Sequence, residues 1–418
     1  MTTDSQGPVR ASARVGVGPA SDPSPATLAP RRRPSHLGPV HVLQVVAVEV
    51  AILGLLAVLD QGVLVIVPVA LAGLLIAVVA LGRQKSRWWL ERRVLAWHFN
   101  RRVKRHPAGP VTDPRLAPLR TLAPRLTVQD VPVSDDSVIG VARDDAGWFA
   151  VAEVTPTAAM ADGPSGHLPL ESLVTTLTDT GQPGSALQVV THTLGSPSHD
   201  LQQALPAAYS YRELVQRFGA APIPADRVTW VAVRLDARAL AEAGAESAEN
   251  AVDVVAAMLR KVARTLRGAG VNVRILDRGG VLTALERSCD LQRTDVTAPP
   301  PQPRETWDAW HSAGLAHRSY WVQDWPSINQ DGAVGALGDR LAAVPGSFTS
   351  VAFVIVPGAA TDAQVDVRCL VRVAAPAETI AAVCRVLEGG THGAHLLPLD
   401  GEQGPATYAT APTGGGPR

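Results

Sequence analysis

Few residues of this 418-residue chain have the type and spacing that chemistry needs. His392 and His395 stand three apart with Cys384 upstream, a spacing a metal ion could use. Gly389, Gly390 and Gly393 read there as a turn, however, and no second ligand pair is near. Asp135-Asp136 and Asp144-Asp145 are paired carboxylates of the kind acid–base catalysis employs. Each pair falls at a loop or hairpin turn, where solvated Asp is expected. Gly332, Gly335 and Gly338 sit in an alanine-rich helical pattern and lack the G-x-G-x-x-G spacing of a dinucleotide loop. The chain has no G-x-x-x-x-G-K-S/T to cradle a phosphate and no G-x-S-x-G nucleophile elbow. It also has no D-x-D of the kind a metal-dependent sugar-nucleotide transferase uses. No catalytic, metal-binding or cofactor-binding residue is assigned.

Two other groups stand out by type. Trp307, Trp310, Tyr320, Trp321 and Trp325 gather five aromatics into a stretch that also holds His317 and Arg318. Such a group anchors a core or faces a partner, since interfaces concentrate Trp and Tyr. Glu49 lies inside an apolar run, where an acid is costly in lipid and must face protein or water. It is then protonated, bonded to a polar group on a neighbouring helix, or part of a proton or ion path.

The element carrying Glu49 organises the rest. Residues 41–82 read as a hairpin of two membrane spans, about 42–59 and 63–82, joined by Asp60-Gln61-Gly62 and containing Pro68. Each run has the ~20 residues that about 30 Å of hydrocarbon asks for. A cleaved signal peptide is disfavoured by the long first run, the missing A-x-A site and the second run that follows at once. A buried helical pair in a soluble protein is disfavoured by the flanking charge and tryptophans.

Charge orients the hairpin. Arg31, Arg32 and Arg33 precede it, and residues 83–105 hold nine cations against one acid, whereas the connecting turn carries only Asp60. Both ends are thus expected in the cytoplasm. Trp88 and Trp89 suit the headgroup layer, with Arg83, Lys85, Arg87, Arg92 and Arg93 beside them to hold anionic lipid at roughly 1 kcal/mol each. Residues 106–418 carry 24 cations and 33 acids, an acidic body that argues against nucleic-acid binding. Cys289, Cys369 and Cys384 are too few and too scattered for a disulfide framework and fit a reducing compartment.

In order, residues 1–40 are Pro-rich and read as a disordered tail, 83–105 as a basic amphipathic juxtamembrane helix, and 106–125 as a linker. The body, 126–411, interleaves strand and helix patterns. Its strands fall at 137–143, 148–154, 186–193, 227–235, 271–276, 348–356, 365–373, 395–397 and 406–410. Helices fall at 169–180, 209–218, 247–267, 281–288, 332–343 and 376–387, an internal linker at 294–305, and a disordered tail at 412–418. Hairpins among these strands predict a mixed sheet. The fold class expected is a membrane-anchored α/β protein, a two-helix transmembrane hairpin followed by a mixed-sheet cytoplasmic domain.

Two spans, the basic tryptophan-bearing collar, IGVARDDAGWFAVAEVTP at 139–156 and above all HRSYWVQDWP at 317–326 make the chain similar to EccE, the E component of actinobacterial type VII (ESX) secretion. The likeness runs over about 40–410 by order of features; the Pro-rich tail and the proline-rich stretch after Thr294 depart from it. The resemblance implies a structural inner-membrane subunit without catalytic residues of its own. It implies assembly with the B, C and D components, the ATPase activity residing in C, and no nucleic acid or small-molecule substrate. The alternatives are a membrane-anchored enzyme such as a sugar-nucleotide transferase, or a tethered ligand-binding domain.

Overall fold

Alternation along the strands sets the two faces of the body. In Pro224–Asp236, Val231, Val233 and Leu235 point one way and Trp230, Ala232 and Arg234 the other, all buried, so this strand is covered on both sides. The computed structural model describes residues 27–30, 36–37, 40–84, 87–104, 113–133, 137–155, 168–195, 210, 213, 224–244, 248–291, 302–325, 333–357, 364–390 and 394–415.

A 13-stranded sheet is the frame. Its path runs β12 (Arg304–Glu305), β13 (Trp310–Ser312), β14 (Leu315–Asp324), β16 (Gln364–Pro376), β15 (Phe348–Pro357), β9 (Ser185–Gly195), β10 (Pro224–Asp236), β8 (Gly147–Thr155), β7 (Val138–Asp144) and β6 (Thr127–Pro132). Every neighbouring pair on this path is antiparallel. Two short strands extend it, β11 (Asn272–Ile275) on β8 and β17 (His395–Pro398) on β14. The body is thus mixed α/β, dominated by antiparallel pairing.

One face is covered by α4 (Leu170–Thr178), α6 (Ala248–Gly268), α8 (Ala333–Ala342) and α9 (Ile380–Gly389). In α6 the buried Ala251, Val255, Leu259, Val262 and Leu266 recur every three or four residues, the stripe of a helix lying on a core. The other face carries α7 (Arg278–Ser288), α10 (Gln403–Ala409) and a 3-10 turn, Pro114–Leu119. Asp277 caps α7 by accepting from the Gly280 N–H at 2.7 Å. A short α5 (Ala237–Glu242) follows β10.

Several expectations change here. Residues 406–409 are helix, not strand, with Thr410 as the C-cap: α10 lays Ala406, Tyr408 and Ala409 onto the sheet, and its Pro405 stands in the first turn, where a missing N–H costs no helical bond. Residues 412–415 are buried rather than a tail. In the stretch read as linker, Leu116, Leu119 and Ala123 pack into the core. The N-terminal 40 residues contribute β1 (Thr27–Pro30), paired in parallel with Gln364–Val367. The helical reading at 209–218 and most of the internal linker lie outside the described residues.

The apolar hairpin is α1 (Val42–Leu56) and α2 (Val63–Leu81), which pack together where Gly73 meets Ala51. Two small antiparallel pairs flank it, β2 (His36–Leu37) with β3 (Val40–His41), and β4 (Arg83–Gln84) with β5 (Arg87–Trp88). At 1.5 Å per residue the 15 residues of α1 rise about 22 Å and the 19 of α2 about 28 Å. Against the expectation of two full spans, no helix among the described residues is long and apolar enough to cross a membrane. The basic helix expected from 83 is shorter as well, because the β4–β5 turn intervenes: α3 is Trp89–Val103.

Candidate functional site

The HRSYWVQDWP run is β14, and it delivers His317 into the interior. Arg372 on the neighbouring β16 is wholly buried and donates Nη1–H to His317 Nδ1 at 3.0 Å and Nε–H to Thr410 Oγ1 at 2.8 Å. Its Nη2 donates to the Ser288 carbonyl and to Ser350 Oγ at 3.3 Å. Ser350 Oγ in turn meets His192 Nδ1 at 2.8 Å, and His317 Nε2 meets Asp290 Oδ2 at 3.2 Å. Phe348 closes the apolar side, 5.4 Å below the guanidinium and 5.2 and 4.8 Å from the two imidazoles. Burial pulls both histidines below their ordinary range, with the Arg372 charge lowering them further, and His192 falls furthest.

A second buried system clamps the chain's C-terminal stretch across the same face. Gln188 Oε1 accepts from the N–H groups of Thr413, Gly414 and Gly415 at 3.1, 2.7 and 3.0 Å, while its Nε2 donates to the Ala409 carbonyl at 2.7 Å. Arg234 pairs with Asp144 and donates to the Thr413 carbonyl at 2.7 Å. The Tyr408 hydroxyl donates to Asp144 at 3.0 Å. Asp144 is therefore not the solvated turn residue its neighbours suggest, although it also caps the turn by accepting from the Ala146 and Gly147 N–H groups.

The third cluster joins stem to body. Arg102, in the last turn of α3, holds both Glu305 oxygens, at 2.9 Å through Nε and 2.8 Å through Nη2, and also donates to the Gly401 carbonyl. Glu305 further accepts from the Gly404 N–H at 2.8 Å, at the start of α10. Arg87 is buried, donating to Glu402 at 3.1 Å and to the Pro398 carbonyl at 3.0 Å. Trp307 stands between Phe99, 5.6 Å away edge-on, and Arg92, 5.7 Å over its ring. Gly401, at φ +78, passes so close that a Cβ there would lie 2.7 Å from the Trp307 ring.

The expected site residues thus divide among different places. Trp310, His317, Tyr320 and Trp321 are core; Trp325 is half-buried against Phe353, and Arg318 lies 3.6 Å from Asp400. Trp307 is at the stem junction. Of the collar expected to face lipid, Arg87 and Arg92 turn to the body, Trp89 and Arg93 stay exposed, Trp88 is half-exposed, and the side chains of Arg83 and Lys85 lie outside the described residues. Glu49 is exposed on α1. His392 and Asp135-Asp136 also lie outside the described residues. Gly338 serves packing, its Cα approaching the Phe353 ring.

Arg372, Gln188 and Arg234 were not singled out by the sequence, yet each is a polar residue at an inward position of an otherwise apolar strand. That break in alternation is their signal. Among the described residues no three His, Cys, Asp or Glu side chains gather as a metal site. Ser350 and His192 have the contact of a nucleophile and its base, but both are buried and Arg372 occupies the hydroxyl. A cleft of about 480 Å³ beside the β7–β8 turn is lined by Arg125, Thr127, Arg143, Asp144 and Asp145 and holds no such pair.

These features define a mixed α/β body with buried hydrogen-bonded networks in its core, carried on an apolar helical hairpin. Residues 223–322 match a family described as "Putative type VII ESX secretion system translocon, EccE", so this stretch of the chain is similar to that family. The matched stretch runs from the start of β10 into β14 and includes Arg234, Asp290, Glu305, Trp307 and His317. No curated protein matches the chain.

Proposed function

We propose that the chain is a structural, non-catalytic subunit of the type VII inner-membrane complex. In this reading the α1–α2 hairpin enters the bilayer and holds the body in the cytoplasm beside B-, C- and D-type components. The observation that carries the proposal is the surface of the hairpin. Val50, Leu53 and Leu56 of α1 and Leu64, Leu71 and Leu75 of α2 are all more than half exposed, Leu64 at 93%. An apolar surface this continuous belongs against lipid or protein rather than water. The two ends of the hairpin also lead to one body, since β1 before it and the strands after it share a sheet.

The test is extraction and pull-down of the full chain from its native membrane. Resistance to alkaline extraction, with co-purification of an FtsK-like ATPase and a membrane protein bearing a ubiquitin-like domain, is expected. A monomer that leaves the membrane at alkaline pH, or one that turns over a sugar nucleotide, would overturn the proposal.

A further inference from the structure

The cations of α3 do two different jobs, and helical geometry separates them. At about 100° per residue, Glu91, Arg92, Leu95, Phe99 and Arg102 fall on one side of the helix. All five are partly buried, and this is the side docked on Glu305, Trp307 and Gly401. Trp89, Arg93, Trp97 and Arg101, each four residues after the last, fall on the opposite side. All four are exposed, Trp97 at 57%. They alternate as a ladder in which each arginine lies over the tryptophan one turn before it, Arg93 at 5.1 Å from the Trp89 ring and Arg101 at 5.4 Å from that of Trp97. Among the described residues neither Arg93 nor Arg101 has a carboxylate partner, in contrast to Arg87 and Arg102.

We propose that this outer face, Trp89–Arg93–Trp97–Arg101, is a docking surface for the anionic headgroup layer of the bilayer, so that α3 lies between membrane and body. The proposal rests on the reading that the hairpin enters the bilayer, and it adds which face meets lipid and which residues do so. Chemistry selects the occupant. Indole rings prefer the headgroup boundary, and unpaired guanidinium groups bind phosphate oxygens at that depth. Val94, also exposed, adds apolar area beside the ladder. Position agrees with chemistry: the Trp89 N–H donates to the Gly82 carbonyl at 2.9 Å, which fixes the start of the ladder to the end of α2. The opposite face is already taken by the body, so the membrane side of α3 is the ladder side.

A spin label on Asn100→Cys tests this in the full chain reconstituted into vesicles without other proteins. Asn100 is exposed on the ladder side and takes no part in the ladder, and the three native thiols are buried, so labelling is selective. A second label on the exposed Glu378→Cys, at the foot of α9, serves as the reference in water. The expected result is withdrawal of the Asn100 label from a water-soluble nickel relaxant in vesicles rich in phosphatidylglycerol, with the Glu378 label unchanged. Arg93→Gln and Arg101→Gln should each shift the docked-to-undocked ratio by roughly fivefold. An Asn100 label in water in a chain that stays in the vesicles at alkaline pH overturns the ladder and leaves the hairpin reading intact. A label equally deep in zwitterionic vesicles and indifferent to both substitutions also overturns it. A chain stripped from the vesicles at alkaline pH sinks the hairpin reading itself, and the ladder with it.

Discussion

Arg372 donates through Nη1 to His317 Nδ1 at 3.0 Å, with both side chains fully withdrawn from solvent. A guanidinium can only donate, so Nδ1 must be the acceptor and the imidazole hydrogen sits on Nε2, directed at Asp290 Oδ2. His317 is thereby held neutral in one tautomer. Arg372 keeps its charge with no carboxylate in contact among the described residues, on the oxygens of Ser288, Ser350 and Thr410 and the His317 nitrogen.

Replacing that arginine should be costly. In Arg372→Met the desolvation of a cation is relieved, but Thr410, the Ser288 carbonyl and His317 lose a charged donor in a dry site. Each such bond is worth about 1.5–3 kcal/mol. The orphaned acceptors outweigh the relief, and a net loss of about 3 kcal/mol is expected. Thermal unfolding of the full chain in detergent checks this, with the exposed Arg340→Met as a control that should stay within about 0.5 kcal/mol.

The same network makes stability depend on pH. His192 and His317 are lowered in the folded chain below the ordinary 6.5, chiefly by burial and then, for His192, by the Arg372 charge. The unfolded chain therefore binds more protons than the folded one once pH drops below about 6.5. Their contribution is complete above that value and is lost as pH falls toward the folded values. The melting temperature should be flat from pH 7 to 8 and fall below pH 6.5, and His192→Phe should flatten the acid limb. An acid limb identical in that variant would refute the assignment.

Much of the body was legible in local pattern. The alternation in TWVAVRLD places β10, and the three-and-four spacing of Ala251, Val255, Leu259 and Val262 places α6, because both patterns report which face is buried. What local pattern does not carry is partner identity across the chain. Asp144 has the chemistry of a turn residue and does cap its turn, but its Arg234 and Tyr408 partners lie 90 and 264 residues away. ATYAT at 406–410 favours strand by its Thr and Tyr, yet burial of Tyr408 and Ala406 on the sheet sets 406–409 as helix. The collar's positive charge was readable, whereas which of its cations pair with the body depended on Glu305 and Glu402, more than two hundred residues downstream.

The C-terminal clamp hangs on one amide. Gln188→Leu keeps the volume but leaves the Thr413, Gly414 and Gly415 N–H groups without their acceptor in a buried site. Each orphaned donor costs about 1–3 kcal/mol if the stretch stays in place, so release of residues 412–415 is the cheaper response. The expected outcome is rapid amide exchange and carboxypeptidase trimming confined to this stretch, with α6 still protected. Unchanged exchange at 413–415 would count against the clamp.

Glu305 is the joint between stem and body. Its carboxylate is only 6% exposed and serves Arg102 and the Gly404 N–H together, so it ties the last turn of α3 to the first turn of α10. Glu305→Gln retains the shape but removes the charge. One amide oxygen then faces a guanidinium and a backbone donor, while its NH2 group opposes an Arg102 N–H. A loss of about 2 kcal/mol is expected, in the range of a hydrogen bond to a charged group. Because Arg102 touches only the junction, the loss should appear as faster amide exchange in α3 and at Gly404, while β14 and β16 keep their protection. Arg102→Gln should reproduce the pattern, and the double variant should cost much less than the sum, since both changes remove the same contact. Additive effects would mean that the two residues act separately and that α3 is held by Arg87 and Trp307 instead.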